Sequence, residues 1–64
     1  MTALKCTTIQ TMGGDGKGHP TFYSEARYGS GRLAHQTRNR RTFHLAASEM
    51  NNWCIKNDHV PVWR

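Results

Sequence analysis

With 64 residues, 36% of them hydrophobic, and a formal net charge of +5, the chain has room for one small basic domain over residues 1–64 and no second one. Folding at this length buries only about 60% of the surface that the unfolded chain exposes, and such a core supplies roughly 5 kcal/mol or less. Met1–Cys6 lacks the apolar run of a secretory leader and no stretch is long enough to cross a bilayer, so a soluble cytoplasmic protein without a membrane partner is expected.

Residues 3–12 alternate in the manner of a strand, with Leu4, Cys6 and Met12 on one side and Lys5, Thr7 and Thr11 on the other. The next segment, 13–20, is dense in glycine and ends in His19-Pro20, the composition of an exposed hairpin loop. Alternation resumes over 21–28, where Phe22, Ser24, Ala26 and Tyr28 oppose Tyr23, Glu25 and Arg27, and this predicts a second strand antiparallel to the first. Gly29-Ser30-Gly31 reads as a turn. Residues 32–43 hold few apolar side chains and fit either a third strand or an extended loop.

From Leu45 the period changes. Ala46, Met50, Trp53 and Cys54 recur at three- and four-residue spacing, which predicts one helix over 45–57 with Met50, Trp53 and Cys54 on its buried stripe. Asn57-Asp58 supplies the stop, and Lys56 suits the negative end of the helix dipole. His59 to Trp63 alternates as a short strand, and Pro61, which has no N–H to donate, assigns it to a sheet edge. The expected fold is α+β: a small antiparallel sheet of three or four strands packed against a single helix, in the order β-β-(β)-α-β.

The glycine loop invites a phosphate-binding reading, which its spacing defeats. A P-loop needs glycine five positions before the Gly-Lys pair and Ser or Thr after the lysine, whereas Thr11 and Gly18 occupy those places around Gly16-Lys17. Metal binding fares no better. His19, His35, His44, His59, Cys6 and Cys54 stand as scattered single positions, without a Cys-x-x-Cys or His-x-x-x-His pair, so no metal or other cofactor is expected. The two cysteines fall on apolar faces and read as free, partly buried thiols, the alternative being a Cys6–Cys54 bridge that would close a loop of nearly the whole chain. A ribonuclease of the metal-independent kind would draw on His35, His44, Glu25, Tyr23 and the arginines, but no spacing singles out an acid–base pair, and no catalytic residue is assigned.

The functional signal lies in 26–48, which holds Arg27, Arg32, Arg38, Arg40 and Arg41 and neither Asp nor Glu; Glu25 and Glu49 only bracket it. Arginine stays protonated and presents a planar fork of donors matched to phosphate, so this run points to a polyanionic partner. Tyr28 and Gln36 lie among the cations, the first able to stack on an unpaired base and the second to read a base edge. The expected function is therefore non-catalytic nucleic-acid binding by Arg27, Tyr28, Arg32, Gln36, Arg38, Arg40 and Arg41. A rival reading has the same basic face dock on an acidic host protein or nucleoprotein complex, as phage and mobile-element inhibitors of defence complexes do, with Trp63, Trp53 or Tyr23 as apolar anchor. Trp63 discriminates between the two: exposed beside Val62 it would serve a protein partner, and packed on the helix it leaves the chain only its basic face.

Overall fold

The computed structural model describes residues 2–12 and 18–63, so the hairpin loop expected at 13–20 lies largely outside the described residues. Its elements are β1 (Thr2–Met12), β2 (Pro20–Arg27), β3 (Leu33–Gln36), α1 (Phe43–Lys56) and β4 (His59–Trp63). The strands form one four-stranded sheet in the order β3-β2-β1-β4, with α1 laid on one face, an α+β arrangement.

Alternation in the first two strands becomes register. Cys6 stands opposite Ala26 and Thr8 opposite Ser24 on the helix side, while Lys5 opposes Arg27, Thr7 opposes Glu25 and Ile9 opposes Tyr23 on the other. Leu4, Cys6 and Ala26 from the sheet meet Met50 and Cys54 from the helix in a fully buried cluster, flanked by Ala34, Trp53 and Trp63. Each large side chain there contributes on the order of 1.5–3 kcal/mol by leaving water. Beside the cluster runs a polar seam in which Thr8 and Ser24 share a hydroxyl hydrogen bond of 2.8 Å and the Ser24 N–H donates to Thr37 Oγ1 at 2.9 Å. Buried hydroxyls paired in this way avoid the cost of desolvation without a partner.

The segment 32–43 turns out to be both strand and loop. Leu33–Gln36 pairs with β2 through a bulge at Ala26/Arg27, and the chain then rejoins β2 at an isolated bridge between Phe22 and Arg40. The helix begins at Phe43, two residues before Leu45, because Thr42 is the cap: its Oγ1 accepts from the Leu45 N–H at 3.1 Å. At the far end the Asn57 N–H donates to the Trp53 and Cys54 carbonyls, and Asp58 takes a left-handed conformation at φ 58° that turns the chain into β4.

β4 is an edge strand, as Pro61 requires, and it runs parallel to β1 in a sheet otherwise antiparallel. The wholly antiparallel sheet expected from sequence is corrected here to a mixed one. The cause is the crossover: α1, about 21 Å long at 1.5 Å per residue, carries the chain back over the sheet so that the next strand starts at the same end as β3. Trp63 packs onto the helix side, where its Nε1 donates to Asn51 Oδ1 at 2.8 Å. Trp53 lies between two imidazoles, stacked on His35 at a centroid distance of 4.2 Å and on His59 at 5.4 Å.

Candidate nucleic-acid interface

The fold divides the arginine run into two groups, one at each end of β3. Arg27 and Arg32 flank the turn that leads from β2 into β3, and Arg38, Arg40 and Arg41 occupy the connection from β3 to α1. From Arg32 to Arg38 the chain spans at most about 20 Å at 3.3 Å per extended residue. Measured along a duplex axis, that upper limit is the rise of about six phosphates of one strand.

At the first end the turn is held by the backbone and by Arg27 together. The Tyr28 N–H donates to the Arg32 carbonyl at 2.9 Å, and Arg27 Nη1 donates to the Gly31 carbonyl at 2.8 Å. Gly31 sits at φ +92°, a conformation that a side chain would strain. Arg27 also donates through Nη2 to Glu25 Oε2 at 3.2 Å, two residues back on the same strand face. Tyr28 and Arg32 remain exposed, and Gln36 faces solvent at the end of β3, opposite Glu25.

At the second end Arg40 closes on Glu49 of the helix, Nε to Oε2 at 3.0 Å and Nη2 to Oε1 at 3.1 Å. The Arg40 hydrogen bond, with the charges of Arg40, Arg38 and His35 adding to it, holds the Glu49 carboxyl below its usual range. The expectation that Glu25 and Glu49 only bracket the run is therefore corrected at Arg27 and Arg40, with which these two acids pair. Sequence separation concealed the second pairing, because Glu49 reaches Arg40 only once α1 folds back over the sheet. Among the described residues Arg32, Arg38 and Arg41 form no ion pair, and all three are exposed.

Lys5 belongs to this surface although it lies far outside the run. It stands opposite Arg27 on the sheet face away from the helix, and with Glu25, Tyr28 and Gly31 it lines an open cleft of about 210 Å³. The signal was present in the sequence: Lys5 and Arg27 occupy the polar sides of two alternating strands joined by a hairpin.

The groups named for acid–base catalysis do not converge. His35 stacks on Trp53 on the helix side of the sheet, whereas Tyr23 and Glu25 project from the opposite face. His44 lies on the exposed first turn of α1. Among the described residues no three His, Cys, Asp or Glu side chains gather in a metal-binding group, and no helix is long and apolar enough to cross a membrane. Comparison with known proteins finds no matching family model, no matching curated protein and no matching solved structure.

Proposed function

We propose that this protein binds nucleic acid without catalysing a reaction on it, using Arg32, Arg38 and Arg41 as its main phosphate contacts and Lys5, Tyr28 and Gln36 as further ones. The observation that carries the reading is the set of exposed arginines without an ionic partner among the described residues, disposed at both ends of one sheet edge. Arg27 and Arg40 act through position, the first bracing the β2–β3 turn and the second tying the β3–α1 connection to the helix. Arginines fixed in this way lose less freedom on meeting phosphates than arginines on a loose chain.

The rival reading, docking on an acidic protein surface, is weakened by Trp63. Its ring packs against the core and its N–H is occupied by Asn51, so of the candidate anchors this one is already in use. A nuclease reading is weakened by the sheet standing between His35 and Glu25.

The test is fluorescence anisotropy of labelled single-stranded and duplex DNA and RNA titrated with the protein across salt concentrations, each probe being checked afterwards for cleavage. Contacts from Lys5, Arg32, Arg38 and Arg41 predict a log–log salt slope between about −3 and −4 with intact probes. Absence of binding at physiological salt would overturn the proposal, and cut probe would transfer it to a nuclease.

A further inference from the structure

The cleft on the open sheet face has a lining unlike the rest of the basic surface. Lys5 and Arg27 oppose each other across β1 and β2, the Glu25 carboxylate lies two residues from Arg27, and Tyr28, 37% exposed, is a further lining residue. Arg27 engages Glu25 through Oε2, and Oε1 has no hydrogen-bond partner among the described residues. Gly29 and Gly31 form part of the wall, and a Cβ at either would meet nothing within 4 Å, so an incoming group can approach the backbone closely.

These parts are complementary to one nucleotide of a strand whose bases are unpaired. Cations suit its phosphate, a phenol ring suits the face of its base, and a carboxylate oxygen suits N–H donors on its pairing edge. At about 210 Å³ the cleft is smaller than the roughly 300–1,000 Å³ of sites that enclose a whole cofactor, and it is open, as a pocket for one unit of a passing polymer must be. A duplex cannot use it, because its bases stay stacked inside the helix.

We infer that the cleft between Lys5, Glu25, Arg27 and Tyr28 is a base-reading pocket for single-stranded nucleic acid that selects guanine over uracil or thymine. Guanine offers two adjacent donors, N1–H and N2–H, to the Glu25 carboxylate, whose Oε1 is the oxygen that Arg27 leaves free. Uracil and thymine flank their single N–H with two carbonyls, which a carboxylate repels. The inference rests on the nucleic-acid reading above and adds to it the strandedness and the base.

The experiment compares a uridine octamer with the same octamer carrying one central guanosine, by anisotropy on the full chain. The guanosine probe should bind about tenfold more tightly. Tyr28→Ala should remove about tenfold from that probe, and Tyr28→Phe should leave it unchanged. Glu25→Gln should abolish the preference while tightening both probes, because it frees Arg27, a response that simple loss of structure would not give. Equal, salt-sensitive binding of the two probes by the unaltered protein overturns the pocket and leaves the nucleic-acid reading in place. If neither probe binds, amide chemical shifts with GMP and UMP separate the remaining outcomes. Perturbation around Glu25 and Tyr28 by GMP alone keeps the pocket and overturns polymer binding, and no perturbation overturns both.

Discussion

Arg40 ties two elements together: its guanidinium grips Glu49 of α1 through two hydrogen bonds of 3.0 and 3.1 Å while its backbone exchanges hydrogen bonds of 2.6 and 2.7 Å with Phe22 of β2. The pair is half-exposed, so its effect is best read through pH. Glu49 is held below the ordinary value of 4.5, chiefly by the Arg40 hydrogen bond, so its contribution to stability is present above about pH 4.5 and is lost as the pH falls through the lowered value. Arg40→Ala should lower the Tm at pH 7 and lose less on acidification than the unaltered protein. Parallel Tm-against-pH curves for the two proteins would show that the pair does not stabilise the fold.

The unpaired arginines should behave in the opposite way. Replacing Arg32, Arg38 and Arg41 together by Ala removes exposed charges without ionic partners among the described residues, so the stability should stay within about 0.5 kcal/mol. The salt slope of nucleic-acid binding should become shallower by about 2 to 3. Denaturant unfolding and salt-titrated anisotropy on the same preparation check both halves.

Met50 is fully buried at the centre of the contact between α1 and the sheet. Met50→Ala should cost about 2–5 kcal/mol through lost burial and the cavity left behind. In a domain of this size that approaches the whole stability. Urea unfolding should show a midpoint near zero denaturant, and a shift corresponding to less than about 1 kcal/mol would mean that the helix is held by something other than this core.

Alkaline pH should loosen the same core. Burial pushes the Cys54 thiol up to about 11, with the neighbouring Cys6 adding to the effect, and burial raises Cys6 as well. A raised thiol gives stability that is complete below the ordinary value of 9.0 and is lost as the pH climbs toward the folded value, because the unfolded chain releases its protons first. The Tm should therefore decline between pH 8 and 11, and decline less in a Cys6→Ala/Cys54→Ala variant, whose Tm at pH 7 is lower from the start. Equal slopes in the two proteins would show that the thiols ionise freely in the fold.

The parts of this architecture legible in the sequence are those set by local period. Alternation in β1 and β2 marked Leu4, Cys6, Ser24 and Ala26 as core-facing but put with them Met12, which is exposed, and Tyr28, which lines the cleft beside Glu25 and Arg27. The stripe of Met50, Trp53 and Cys54 marked the helix, though Trp53 is only partly buried, and Pro61 marked an edge. Alternation reports a face and not a neighbour, so nothing in His59–Trp63 revealed that it lies parallel to β1. The site was legible as composition and illegible as pairing. Glu25 and Arg27, two apart on one strand, share a face by rule, whereas Glu49 meets Arg40 through a tertiary contact. The stacking of Trp53 between His35 and His59 likewise joins three elements that no local pattern relates.

The pairing of β1 with β4 also fixes an order of events. Thr2–Cys6 is the first segment of the sheet to be synthesised, and its outer edge is covered only by His59–Trp63, the last. During translation Leu4 and Cys6 therefore wait beside an open strand edge until His59–Trp63 has emerged, and closing so long a loop slows folding. A chain cut short before His59 would keep that edge available to any other extended segment, and its characteristic failure would be association through β1.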